Sequence, residues 1–172
     1  MKRIIALLLA PFFFLLPAMK AEEPLDVGDP APGAKAPDQD GNVVSLEEIY
    51  GKGDVLVYFY PRADTPGCTA QACSLRDDFE ALSDRDVTVI GVSTDNVEAQ
   101  KAFKEKHDLP FTLLADTESE VIKAFRVPLR GGAFATRQAF LIRDGKIAWR
   151  DLSASTQQQA ADVLKVLASL DG

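Results

Sequence analysis

The chain has 172 residues, with 26 Asp and Glu against 19 Lys and Arg and a net charge of −7. That balance excludes a nucleic-acid partner, which requires a basic face. With 47% hydrophobic and 26% charged residues, it reads as one ordinary globular domain with room for a core.

The first stretch stands outside that domain. "MKRIIALLLAPFFFLLPAMKA" sets Lys2 and Arg3 ahead of an apolar run from Ile4 to Met19. A charged start, a short apolar run and small residues near its end predict a secretory signal over residues 1–21, with Ala18 or Ala21 the last residue removed. The run falls short of the roughly 20 apolar residues of a membrane span, and Pro11 interrupts it. An uncleaved anchor is the competing reading, and this segment is the one predicted membrane contact. The domain then covers residues 22–172 and is exported, to the periplasm if the source is bacterial.

Residues 22–36, rich in Pro, Gly and Ala, form an arm leading into the domain. An Asp40-Gly41 turn separates short extended pieces. Ser45 and Glu48 stand in capping-box spacing before Gly51, which predicts a helical turn or two. "DVLVYFYP" (54–61) is a strand buried on both faces, and a helix follows over 68–83. A second buried strand covers 86–94, and a helix covers 96–110 up to Pro110. Residues 111–116 read as a strand, 117–128 as a helix, and "LRGGAFA" as a glycine-rich loop. Two apolar runs around Asp144-Gly145 predict a hairpin. An amphipathic helix closes the chain, with Ala160, Val163, Leu164 and Leu167 on one side. This order implies an α/β fold, a central mixed β-sheet with helices on both faces.

Both cysteines lie in "YPRADTPGCTAQACSL", residues 60–75. In an exported chain such a pair first suggests a structural disulfide. Helix geometry argues otherwise. Ala72, Leu75, Phe79 and Leu82 fall within about 40° of Cys68 and form a core-facing stripe, whereas Cys73 lies about 140° away. The two Cβ atoms would then stand roughly 9–10 Å apart, against the 3.5–4.5 Å or so that a disulfide needs. An intact helix cannot hold the bond, so the pair implies a redox switch that remodels its own backbone. Two thiols with His107 as the single histidine fall short of a zinc set, and no metal or organic cofactor is implied.

Cys68 opens its helix, where free N–H groups favour a thiolate. Thr65 is placed for its hydroxyl to donate to the sulfur or to a bound oxygen, and Pro61 to wall the site. Each is singly common in strand-to-helix turns. Together, "PRADTPGC" closely resembles the peroxiredoxin active-site pattern: proline, three residues, threonine or serine, two residues, cysteine. A second cysteine five positions on resembles the bacterioferritin-comigratory, or Q-type, subfamily. "VLVYFYPRADTPGCTAQACSLRDDF", "VIGVSTD" and "RQAFLIRDGKI" extend the resemblance over most of residues 27–170.

The resemblance implies a thioredoxin-like fold and a thiol-dependent peroxidase reducing hydrogen peroxide and organic hydroperoxides. It implies Cys68 as the peroxidatic cysteine and Cys73 as the resolving one. Thr65 and Pro61 match the motif's hydroxyl and proline, and Arg137 matches an arginine that reaches the site from a distant strand. Arg62 and Arg130 are rival cations. The implied partners are a peroxide and an external dithiol of thioredoxin type, and the self-contained pair suits a monomer. "VPLRGGAFA" is shorter than the corresponding stretch of many relatives, and the export signal is unusual among them. A thiol–disulfide oxidoreductase would be expected to carry Cys-x-x-Cys, and here four residues intervene. An exported domain with an inert staple is the non-enzymatic alternative. His107 suits the end of its helix, "KAFKEKHD" a solvated face, and Trp149 the core or its rim.

Overall fold

The computed structural model describes residues 23–172; the predicted signal segment lies outside them. Lys35–Pro37 (β1) and Val43–Ser45 (β2) pair antiparallel, and Leu46–Ile49 (α1) follows. Asp54–Phe59 (β3) leads to Pro66–Asp77 (α2) and Phe79–Ser83 (α3). Val87–Ser93 (β4), Val97–Lys106 (α4), Thr112–Ala115 (β5) and Glu120–Ala124 (α5) continue the alternation. Leu129–Arg130 (β6) pairs with Phe134–Ala135 (β7). Gln138–Arg143 (β8), Lys146–Asp151 (β9) and Gln159–Leu170 (α6) complete the chain.

The main sheet has the order β5-β4-β3-β8-β9. β3 is parallel to β4, and β4 to β5; β8 and β9 run antiparallel. Every residue of β3 is buried because helices cover both faces. Alternation along it divides the core. Leu56 and Tyr58, with Tyr60 beyond, face Ala72, Leu75, Leu82, Phe103, Val163 and Leu167 from α2, α3, α4 and α6. Val55, Val57 and Phe59 face Leu46, Ile122, Phe125 and Phe140. Phe59, Phe125 and Phe140 meet ring to ring at 5.2–6.0 Å, contacts worth about 0.5–1.5 kcal/mol each beyond their buried area. Gly91 in β4 makes room for Tyr58 beside it, since a Cβ there would lie 2.7 Å from the Tyr58 hydroxyl.

The strands and the hairpin fall where the apolar runs place them. Asp144 and Gly145 both have positive φ (51° and 70°), the turn that matches strand twist. Several expectations differ, among them the helix expected up to Pro110, which ends at Lys106. The helix expected over 68–83 starts at Pro66 and breaks at Asp78 (φ −104°, ψ 15°), although its stripe stays on the core. The helix expected over 117–128 shrinks to α5, because the Asp116 carboxylate accepts from the Glu120 and Ile122 N–H groups and caps it late. Ser45 makes no side-chain cap at α1, and the glycine-rich loop closes on the short β6–β7 ladder.

Candidate active site

The loop leaving β3 enters α2 through Pro66, whose missing N–H costs nothing at the first helical position. Cys68 is therefore the third residue of α2, among the four whose N–H groups have no acceptor within the helix. Its side chain is 2% exposed and packs in the core beneath the sheet. The Thr65 carbonyl takes the first helical bond, from Thr69 N–H at 2.8 Å. The Thr65 hydroxyl does not point its proton at the thiol as the sequence suggests. It donates to the Arg62 carbonyl at 3.0 Å, which leaves the oxygen as an acceptor.

Arg137 reaches the thiol through topology. β8 pairs with β3 so that Gln138 lies opposite Phe59, which puts Arg137 beside the start of the loop. Its Nη2 stands 3.4 Å from Cys68 Sγ. Its Nη1 donates to Gln71 Oε1, and Gln71 Nε2 donates in turn to Gln159 Oε1. Gln71 and Gln159 are 0% and 1% exposed. Gly67 lies under the guanidinium; a Cβ there would stand 3.3 Å from Nη2. Pro61, Pro128, Arg130, Arg137, Leu152 and Ser153 line a concavity of about 480 Å³ in front of the arginine. Of the rival cations, Arg130 shares this concavity and Arg62 borders another, beside Asp95 and Phe134. The sulfur contact belongs to Arg137.

The loop is fastened on its other side. Asp95 accepts from Ala63 N–H and from the Ser93 hydroxyl, both at 2.7 Å. Asp64, with positive φ (56°), meets Lys106 Nζ at 2.7 Å and His107 Nε2 at 2.9 Å. His107 and then Lys106 hold its carboxyl below the ordinary value near 3.8. Arg76 of α2 donates to the His107 carbonyl at 2.8 Å. The end of α4 is thus more than the solvated face expected: it ties both the loop and α2, with Phe103 buried behind it. Below the thiol the floor stays uncharged, since burial pushes the phenols of Tyr58 and Tyr60 far above the ordinary range. Trp149 is half-buried at the rim of the same core.

Cys73 is half-buried on the same unbroken helix, and both cysteines are free thiols. Five helical positions hold their Cβ atoms roughly 9–10 Å apart, so closing the pair requires α2 to unwind. Among the described residues, no group of three His, Cys, Asp or Glu side chains is placed to hold a metal ion. Gln71 and Gln159 went unnoticed in the sequence. Gln71 borders the apolar stripe one turn after Cys68, a visible cue; Gln159 is hidden in "TQQQ".

The AhpC/TSA family model matches residues 27–150. The chain belongs to this family. It is a peroxiredoxin of the Bcp and Q type. Peroxiredoxin Bcp of Escherichia coli K12 is 51% identical over 104 residues, 60% of this chain and 66% of that protein. The matched stretch thus spans about two thirds of that relative's own length. Chloroplastic peroxiredoxin Q of Oryza sativa subsp. japonica is 39% identical over 146 residues, 83% of this chain and 67% of that one. The crystal structure of peroxidoxin BcpB from Mycobacterium tuberculosis superposes with a TM-score of 0.79 at 31% identity, covering 85% of this chain and 98% of that one. A cysteine-to-serine mutant of PrxQ from Xylella fastidiosa, 22% identical, shares the fold at a TM-score of 0.80, over 88% of this peroxiredoxin and 100% of that chain. The thioredoxin-like fold implied by the motif is the fold observed.

Proposed function

We propose that this peroxiredoxin is a thiol-dependent peroxidase that reduces hydrogen peroxide and organic hydroperoxides through Cys68, with Cys73 resolving. One observation carries the reading: a guanidinium 3.4 Å from a thiol on the first turn of a helix that bears the second thiol five residues on. The Cys68 thiolate attacks one peroxide oxygen, the O–O bond breaks, and the other oxygen takes a proton and leaves as water or alcohol. Arg137 and the free N–H groups of α2 steady the negative charge that develops. The Thr65 oxygen, its own proton engaged, accepts from the peroxide O–H, and Pro61 walls the concavity. Position supplies what charge alone does not. Cys68 is left as a sulfenic acid. The first turns of α2 unwind, the Cys73 thiolate attacks the sulfenic sulfur, water leaves and the disulfide forms. A thioredoxin-type dithiol returns two electrons by thiol–disulfide exchange, itself becoming a disulfide.

A pair housed in one helix closes its cycle within one chain, which supports a monomer. The segment 1–21 supports export, to the periplasm in a bacterium. Fractionation of cells expressing the full chain tests this; recovery at full mass in the cytosol would reject it. The peroxidase reading is tested by peroxide consumption with a thioredoxin-type donor, comparing the parent chain with Cys68→Ser. The variant is expected to be inactive, and parental turnover by it would overturn the assignment.

A further inference from the structure

We propose that Gln159 is a positioning residue: it holds the Arg137 guanidinium on Cys68 by fixing the amide of Gln71. This rests on the peroxidase reading and adds to it a part of the site supplied by the C-terminal helix.

The direction of the chain of bonds is forced by chemistry. A guanidinium only donates, so Gln71 must turn Oε1 toward Arg137. Its Nε2 then faces the opposite way and needs an acceptor. Gln71 is fully buried, so bulk water does not supply one. Gln159, the first residue of α6, does. The acceptance leaves a cost in view: Gln159 Nε2 is buried without a partner among the described residues. An apolar side chain would remove that stranded Nε2 but would leave the buried Gln71 Nε2 without its acceptor. What glutamine adds there is the oxygen that Gln71 requires.

The placement also links two elements that the reaction moves apart. Gln71 lies between Cys68 and Cys73, in the stretch that must unwind. The approach to α6 touches the first turn of α2 at Gly67, where a Cβ would stand 3.7 Å from Thr156 Cγ2. While α2 is wound, the bonds Arg137–Gln71–Gln159 hold the cation on the sulfur. Unwinding carries Gln71 away from both partners at once. Without Gln159 the Gln71 amide is free to rotate even in the wound helix, and Arg137 loses a fixed acceptor.

The test uses the full domain and four variants: Gln159→Leu, Gln159→Glu, Gln71→Leu and the Gln71→Leu/Gln159→Leu double. The rate of Cys68 oxidation by hydrogen peroxide and the rate of its alkylation by iodoacetamide are each followed against pH. Gln159→Leu is expected to lose roughly tenfold in the peroxide rate constant, the scale of a displaced catalytic group, and to move the midpoint of the alkylation profile. Thermal unfolding stays within a few degrees of the parent. Gln159→Glu keeps the accepting oxygen and restores most of the rate. The double variant is no slower than Gln71→Leu, because Gln159 acts through Gln71. A Gln159→Leu protein with parental rate and parental profile overturns the inference, as do losses that multiply in the double variant. If Gln159→Leu does not fold, Gln159→Met carries the same comparison. A parent chain inert to peroxide would instead reject the peroxidase reading, while the alkylation profiles would still decide the role of Gln159.

Discussion

Ala70 lies on α2 between the two cysteines and touches neither the thiol nor the guanidinium in any bond described above. Replacing it with glycine weakens the wound helix by about 0.8–1 kcal/mol. Resolution requires the unwound helix, so the unwound population and the rate of disulfide formation rise roughly four- to fivefold. Overoxidation competes with resolution at the sulfenic acid, so the sulfinic product per turnover falls by about the same factor. The peroxide step uses the wound form, which remains dominant, and changes by less than about twofold. Thr69→Ala works in the opposite direction: exchanging a β-branched residue for the best helix former adds up to about 0.7 kcal/mol, slowing resolution roughly threefold. Thiol-trapping quench flow measures the disulfide rate, and intact-protein mass spectrometry after a fixed number of turnovers counts the sulfinic form. If both variants overoxidise as the parent does, winding of α2 does not gate resolution, and the mechanism is wrong at that step.

Cys73→Ser should consume one equivalent of peroxide and then stall or overoxidise; sustained cycling with a dithiol would remove Cys73 from the mechanism. Arg137→Ala removes a charged donor 3.4 Å from the sulfur and should lower the second-order rate with peroxide about 10²–10³-fold, measured by stopped flow; a loss under threefold would show the contact to be idle. Far-UV circular dichroism should lose helix when the protein is oxidised with equimolar peroxide, and an unchanged spectrum contradicts the unwinding. For Asp64 the folded carboxyl titrates below its ordinary value near 3.8, so its pairing with His107 and Lys106 stabilises the folded chain above that pH and is lost as pH falls through the folded value. The melting temperature of Asp64→Asn should therefore trail the parent's at neutral pH and converge with it in acid; a gap that persists at the lowest pH would assign the effect elsewhere.

Much of the fold was legible because the apolar runs are long and of one period. β3 reads as a doubly buried strand, and it is one. The Asp144-Gly145 turn named its hairpin through the conformation it demands. The limits of α5 were not legible, since Asp116 moves the cap by a side-chain bond across four to six residues. In the site, Cys68, Cys73, Thr65 and Pro61 share one motif, so local sequence displayed them together. Arg137 is 69 residues away, and β3–β8 pairing brings it to the sulfur. Only family resemblance pointed to it. Gln159 and the Asp64–His107 tie depend on which ends of α4 and α6 meet the loop, and nothing in their own neighbourhoods announces that.

The break at Asp78 sets how far the oxidation step spreads. Helical winding is cooperative along continuous hydrogen bonds, and those bonds are interrupted there. Leu82 is fully buried beyond it, and Phe79 leans on Phe111. The joint works as a firebreak: α2 can melt and re-form with each turnover while α3 keeps its seat. A catalyst that must partly come apart on every cycle thereby confines the exposed interior to the face beneath α2, where Ala72 and Leu75 sit.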